Sequence, residues 1–128
     1  MVHIDKETNE LAYKVIGCAY KVHRSLGPGL LESAYEACLC YELDKENIKY
    51  EKQKELPVIY DEKKIDCGYR LDVLIESKII IELKSTEKLL PIHTAQVMTY
   101  LRLSKVHLGL LINFNEINLQ NGIRRYVL

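Results

Sequence analysis

YRLDVLIESKIIIELKS, residues 69–85, carries two acids and a lysine inside what otherwise reads as two buried strands. Asp72 lies among leucine, valine and isoleucine, while Glu82 and Lys84 follow three consecutive isoleucines. Charges within apolar strands are costly unless they are paired or bind a ligand. These three residues are therefore candidates for a functional site.

The apolar pattern of this stretch predicts how its two strands pair. Side chains alternate between the two faces of a strand, so Glu82 and Lys84 project to the same side. A turn centred on Ser77 places Asp72 opposite Glu82, and a slip by one residue would move charges onto the apolar face. That wholly apolar face consists of Leu71, Val73 and Ile75 opposite Leu83, Ile81 and Ile79.

Two facing carboxylates, with Cβ atoms roughly 4.5–5.5 Å apart, destabilise a sheet unless opposite charge intervenes. A bridging divalent cation removes the conflict and suits carboxylate oxygens. Lys84 could then stabilise negative charge on a phosphate or orient an attacking water. Structural ion pairs gather charges in the same way, so a salt-bridged cluster in which Arg70 and Lys84 neutralise the acids is an open alternative.

The composition predicts one soluble domain spanning residues 1–128, with 48% hydrophobic and 28% charged residues. No apolar run approaches the ~20 residues of a membrane span, and the first ten residues lack the apolar segment of a signal peptide. We therefore expect a cytoplasmic protein without a membrane partner. With 18 basic and 18 acidic residues, the net charge is zero and no global basic patch indicates nucleic acid.

Periodicity and turn signals predict two helices, three strands, a helix, a strand and a small C-terminal β-ribbon. Such meandering strands with a helical crossover imply an α/β fold with a mixed sheet flanked by helices. Pro57 marks the first strand as an edge strand, and Asn121-Gly122 is placed at the turn of the ribbon. The predicted helices are 8–26, 30–45 and 91–104, and the predicted strands are 48–60, 65–75, 78–84 and 106–114.

Several motifs together resemble the PD-(D/E)XK nuclease superfamily. Leu71-Asp72 followed, after nine residues, by the ELK of Glu82–Lys84 resembles its D…ExK signature. The segment GPGLLESAY is spaced as in the proteins named GxxExxY, and AQVMTYL matches a QxxxY element. The resemblance covers residues 16–126 and implies a restriction-endonuclease-like αβββαβ core. Leu71 stands where the superfamily's namesake has proline.

The resemblance also implies roles for individual residues. Asp72 and Glu82 match the metal-binding acids, the backbone carbonyl of Leu83 is a further ligand, and Lys84 matches the catalytic lysine. Two more residues match site positions, Glu32 as the helix acid that completes the metal shell and Gln96 as a site glutamine. Tyr35, Arg70 and Tyr100 are candidates for contact with nucleic acid.

Each helical motif residue has an alternative interpretation. The alternative for Glu32, in a first helical turn, is a favourable interaction with the helix dipole and no other role. Gln96 and Tyr100, four residues apart, could be packing partners on one helix face, and Tyr35 could be a core aromatic.

The first functional hypothesis is a nuclease that uses Mg²⁺ or Mn²⁺ to hydrolyse phosphodiester bonds in DNA or RNA. The second is a catalytically silent nuclease-fold module for binding or assembly, and the third is a subunit that requires a partner protein. A homodimer is compatible with the small size of the domain.

Overall fold

A computed structural model describes residues 2–128, which form a five-stranded mixed sheet with helices on both faces and a separate two-stranded ribbon. None of the helices among these residues is long and apolar enough to cross a membrane. The elements in chain order are α1 (Lys6–Leu26), α2 (Glu32–Lys45), β1 (Tyr50–Glu55), β2 (Val58–Tyr60), β3 (Lys63–Ile65), β4 (Arg70–Ile75), β5 (Ile79–Lys84), α3 (Pro91–Ser104), β6 (Leu108–Asn113) and β7 (Ile123–Val127).

The main sheet contains five strands in the order β1-β4-β5-β6-β7. Strands β5 and β6 are parallel and joined through α3, whereas the other neighbouring pairs are antiparallel. A helix followed by three meandering strands, a crossover helix and a further strand is the predicted αβββαβ order. The predicted fold class is therefore confirmed.

The predicted register of the central hairpin is also confirmed. Val73 pairs with Ile81 and Ile75 pairs with Ile79, so the turn is centred on Ser77. Both Glu76 and Ser77 have positive φ, 47° and 58°, as a tight hairpin turn requires.

Helix α3 begins at the predicted residue, Pro91, whose missing N–H is not needed in the first turn. The backbone N–H of Leu90 donates to Nδ1 of His93 at 3.0 Å, which satisfies a polar group at the helix start. The helix ends at Ser104, before Lys105 in the left-handed conformation.

The sheet separates two apolar clusters. Helices α1 and α2 cover a face that includes Val73, Ile75 and Ile81, and α3 covers the opposite face with Leu74 and Ile80. Leu71 belongs to the α3 side, so the prediction that it lies with Val73 is wrong. Backbone pairing of β4 with β5 stops at Val73, and the alternation of faces is not maintained beyond that point.

The prediction of one continuous strand over residues 65–75 is wrong as well. The strand is broken between Ile65 and Arg70, where Gly68 has a φ of 77° and its N–H donates to Asp66 at 3.0 Å. Strands β2 and β3 pair with each other in a separate two-stranded ribbon. Only β4 belongs to the main sheet. A short hairpin is thus inserted between the edge strand β1 and its neighbour.

The C-terminal turn also differs from the prediction. Leu119–Gly122 form a short 3-10 helix rather than a two-residue hairpin turn. Strand β7 pairs with β6 as the second edge of the main sheet. The physical cause is tertiary packing: Leu119 is buried in the α1/α2 cluster, and a Cβ on Gly122 would lie 2.4 Å from the carbonyl oxygen of Asn113.

Candidate functional site

The two candidate acids meet where the central strands separate. Beyond the Val73–Ile81 pair, side chains replace the backbone ladder. The N–H of Asp72 donates to Oε2 of Glu82 at 2.9 Å, and the N–H of Leu83 donates to Oδ2 of Asp72 at 2.9 Å. Each carboxylate is therefore fixed by the backbone of the opposite strand.

This arrangement strongly perturbs Glu82, which is 3% exposed. Burial, followed by the negative charge of Asp72, raises the pKa of Glu82 to about 8. The hydrogen bond from Asp72 and the positive charge of Lys84 act in the opposite direction, and the charge of Glu32 adds to the increase. The site therefore resists holding both acids ionised without an additional positive charge.

The cationic side chains do not form the alternative salt-bridged cluster. Arg70 is exposed and lies 4.0 Å from Glu55 on the neighbouring edge strand. Within residues 2–128, Lys84 makes no salt bridge within 4.0 Å. Lys84 is half-buried at the end of β5, where its ammonium group is available to a ligand.

Glu32 occupies the first residue of α2, as predicted, and its side chain is exposed. The loop before it is held by Tyr35, whose hydroxyl donates to the carbonyl of Gly27 at 2.6 Å and accepts from the N–H of Leu30 at 3.1 Å. Ser85 donates to the carbonyl of Leu30, which ties this loop to the chain just after Lys84. The spacing of glycine, glutamate and tyrosine thus positions the start of α2 beside the strand ends.

Tyr35 itself is fully buried and stacks on Phe114 with ring centroids 4.5 Å apart. A side chain without exposed surface cannot contact nucleic acid, so that candidate role is wrong. The core interpretation is correct, and the hydroxyl supplies the loop contacts described above.

The structure adds two polar residues that sequence reasoning missed, Glu36 and Gln53. Nε2 of Gln53 donates to Glu36 at 2.8 Å and lies 3.5 Å from Oδ1 of Asp72, a long contact. Gln53 has a φ of 51° within the edge strand β1, a conformation that costs a non-glycine residue about 1–3 kcal/mol. Burial raises the pKa of Glu36, and the charges of Asp72 and Glu32 add to the increase.

One signal for Glu36 was present in the sequence. It lies four residues after Glu32, and residues at this spacing share a helix face. No sequence signal indicates the positive φ of Gln53, since this residue is not one that favours the left-handed region.

Gln96 and Tyr100 lie together on α3, and Nε2 of Gln96 donates to the Tyr100 hydroxyl at 3.2 Å. Oε1 of Gln96 is buried and accepts no hydrogen bond from the described residues. Burial, followed by the charge of Glu82, raises the pKa of Tyr100. Tyr100 is thus close enough to the acids for their charge to act on it, and Gln96 contacts Tyr100 on the same helix face, as the packing interpretation predicts.

A buried asparagine organises the loop after Lys84. Asn113, at the end of β6, accepts from the N–H of Thr86 and donates to the carbonyl of Thr86, both at 3.1 Å. The N–H of Phe114 donates to the carbonyl of Lys84 at 2.9 Å. Parallel pairing of β5 with β6 thus fixes the backbone at the position of the lysine.

The donor set at the strand ends suits a hard divalent cation. Oδ1 of Asp72 has only the long Gln53 contact, and Oε1 of Glu82 accepts no hydrogen bond within residues 2–128. The N–H of Leu83 donates to Asp72, and in a strand the carbonyl of a residue lies on the same side as its N–H. Across the described residues, however, no group of three or more acidic, histidine or cysteine side chains is arranged to hold a metal ion.

Comparison with protein-family models gives one match, over residues 9–126, to the model described as the PD-(D/E)XK nuclease superfamily. The matched region includes most of α1, all of α2, the paired acids and most of the final strand. Searches among curated proteins and among solved structures found no match to the chain.

Proposed function

The chain belongs to the PD-(D/E)XK nuclease superfamily, and from this premise we propose that it is a metal-dependent nuclease that hydrolyses phosphodiester bonds in DNA or RNA. The observation that carries the proposal is that Asp72 and Glu82 each accept a hydrogen bond from the backbone of the opposite strand where the two strands separate. Lys84 lies beside them and makes no salt bridge among residues 2–128. Two adjacent carboxylates next to a lysine that makes no salt bridge are suited to act on a phosphate ester.

The cofactor in this proposal is Mg²⁺ or Mn²⁺, held by Asp72, Glu82 and the carbonyl of Leu83, with Glu32 completing the shell. When bound, such a cation lowers the pKa of water and neutralises phosphate charge. Glu32 is exposed on α2, and its charge already acts on the pKa of Glu82.

Other residues of the chain have separate roles in the proposal. Lys84 places a positive charge beside the scissile phosphate and orients the attacking water, because it shares the side of Glu82 on β5. Gln96 positions the substrate from α3 through its contact with Tyr100. Arg70, which is exposed at the start of β4, contacts the nucleic-acid backbone.

A second candidate function is a catalytically silent nuclease-fold module for binding or assembly, or a subunit that needs a partner protein. One observation favours it: backbone N–H groups already occupy one oxygen of Asp72 and one of Glu82, in the absence of any three-residue metal group among residues 2–128. The intact set of Asp72, Glu82 and Lys84 favours the nuclease over this alternative.

The decisive experiment measures cleavage of labelled single-stranded and duplex DNA and RNA with Mg²⁺ or Mn²⁺, before and after chelation. We expect metal-dependent cleavage that falls at least about 100-fold in Asp72→Asn, Glu82→Gln and Lys84→Ala, because each change removes a charge needed in the transition state. Binding of Mn²⁺ should also raise the melting temperature of the wild-type protein and not of Asp72→Asn.

Matched control variants separate local charge loss from general effects. Glu76→Gln removes a carboxylate from the hairpin turn at the opposite end of β4 and β5, and Lys14→Ala removes an exposed lysine from α1. Both should cleave like the wild type. Absence of cleavage on every substrate, together with a melting temperature unaffected by Mn²⁺, would favour the silent module.

A further inference from the structure

A second feature next to the acids is a groove of about 410 Å³ between α3 and the segment that joins the β2–β3 hairpin to β4. Its walls include Val58, Tyr69, Ile92, Gln96, Tyr100 and Leu103. The lining is mostly apolar, and Thr99, the amide of Gln96 and the tyrosine hydroxyls supply its polar groups. A ligand for this groove should therefore present a flat apolar surface with a polar edge.

The groove is continuous with the candidate site. Tyr69 precedes Asp72 by three residues, and Tyr100, which lines the groove, is close enough to Glu82 and Asp72 for their charges to act on it. Tyr100 packs in one cluster with Leu71 and Ile80. In the sequence, Leu71 immediately precedes Asp72, and Ile80 lies two residues before Glu82. A nucleotide adjacent to a phosphate at the acids could thus reach the groove.

The aromatic side chains of the groove are available for stacking. Tyr69 is 47% exposed and meets Tyr100 edge to face, with ring centroids 6.3 Å apart. Ile92, across from it on α3, is 68% exposed. Exposed aromatic rings in nucleic-acid proteins serve as platforms on which single-stranded bases stack.

The amide of Gln96 supplies a polar group at the end of this apolar surface. Nε2 of Gln96 donates to Tyr100, while Oε1 has no partner among the described residues. Because Oε1 is buried, the amide holds the Tyr100 side chain at the groove and does not contact a ligand directly.

The charge of the chain argues against binding through the phosphate backbone alone. The chain has equal numbers of basic and acidic residues, and Glu32, Glu36, Asp72 and Glu82 all surround the site. Proteins that bind nucleic acid mainly through phosphates neutralise several of them with lysine and arginine. Contact with a base would add affinity at such a site.

We infer that this groove is a subsite for one unpaired nucleobase, stacked on the exposed ring of Tyr69, so that the substrate is single-stranded nucleic acid. The inference rests on the proposed nuclease function and specifies its substrate class. In a duplex the bases are stacked on one another and paired, which leaves none to enter the groove.

The test combines cleavage with binding. Cleavage of one labelled sequence, as a single strand and as a duplex, is measured for the wild type, Tyr69→Ala, Tyr69→Phe and Tyr13→Ala. Fluorescence anisotropy measures binding of a short thymidine oligonucleotide to the same set in the Asp72→Asn background. Tyr13 is the matched control because it is 81% exposed on α1, away from the groove.

We expect the wild type to prefer the single strand. Tyr69→Ala should weaken oligonucleotide binding about tenfold or more and raise KM with little change in kcat. Tyr69→Phe, which keeps the ring, should restore most of the loss, and Tyr13→Ala should behave as its parent protein does.

The outcomes separate this inference from the proposed function. Equal or better cleavage of the duplex, with no effect of Tyr69→Ala, would overturn the subsite and leave the nuclease intact. Binding that depends on Tyr69, without cleavage of any substrate, would support the subsite and overturn the nuclease. The absence of both binding and cleavage would overturn both.

Discussion

Asp72 and Glu82 are joined by a hydrogen bond that replaces the backbone ladder, since the N–H of Asp72 donates to the Glu82 carboxylate at 2.9 Å. The ladder ends one pair earlier, at Val73 and Ile81. The same bond that fixes the geometry of Glu82 also holds it close to a second acid. The same contact therefore determines both the position of the Glu82 carboxylate and its repulsion by Asp72.

This relationship predicts a pH-dependent stability. The pKa of Glu82 rises from 4.5 to about 8, so the folded protein keeps a proton that the unfolded chain has released. The stability that this proton provides is fully present below about pH 4.5 and is lost as the pH rises towards about 8. Glu82→Gln removes the titration, and its melting temperature relative to the wild type should increase across this interval in metal-free buffer.

The control for that experiment is Glu76→Gln, whose melting temperature should follow the wild type at each pH. A melting temperature of Glu82→Gln that falls relative to the wild type as the pH rises through this interval would contradict the repulsion between the acids. It would indicate that the charged form of Glu82 stabilises the fold.

Tyr35→Phe should loosen the loop that leads into α2. The variant loses the bond to the carbonyl of Gly27 and leaves the N–H of Leu30 without its acceptor. We expect the free energy of unfolding to fall by about 1–3 kcal/mol, measured by urea denaturation. Nuclease activity should fall further than stability requires, because Glu32 follows this loop. Tyr13→Phe, at an exposed position, is the control and should change neither quantity.

Gln53→Gly should separate stability from activity. Glycine adopts the positive φ of this position without strain, while removal of the amide eliminates the contacts with Glu36 and Asp72. We expect a free energy of unfolding within about 1 kcal/mol of the wild type and a loss of cleavage activity. Gln53→Ala keeps the strain and should be less stable than the glycine variant. A fully active Gln53→Gly protein would show that this amide does not position Asp72.

Two glycines offer a matched pair for testing how closely α3 packs on the sheet. A Cβ on Gly109 of β6 would lie 2.9 Å from Cγ1 of Val97 and 3.3 Å from Leu101, whereas a Cβ on Gly17 would meet nothing within 4 Å. Gly109→Ala should cost about 1–3 kcal/mol by overpacking. Gly17→Ala, inside α1, should stabilise the protein by about 0.5–1 kcal/mol. Thermal or urea unfolding of both variants measures the difference.

Local patterns were sufficient wherever the structure depends on neighbouring residues. The apolar alternation of residues 71–83 predicted the register of β4 and β5, since any slip would bury charge. Pro91 predicted the start of α3, and the glycines before Glu32 placed that residue in the first turn of α2. The pairing that brings Asp72 to Glu82 was therefore predictable from the sequence.

Patterns failed where a distant part of the chain changes the outcome. Asn121-Gly122 has the composition of a hairpin turn, but Leu119 is buried against α1 and α2 and the turn becomes a 3-10 helix. Leu71 continues an alternating strand pattern, yet it packs on the α3 side once pairing with β5 ends. Local propensity is a weak preference, and burial of apolar surface overrides it.

The candidate site shows the same division. Asp72, Glu82 and Lys84 were found from sequence because two paired strands fix their neighbours through a period of two. Gln53 and Glu36 come from the edge strand and from α2, and no local spacing relates either of them to Asp72. The burial of Tyr35 likewise depends on Phe114, which lies 79 residues later in the chain. Contacts between separate elements form only when the core is packed, so these residues become visible only in the folded protein.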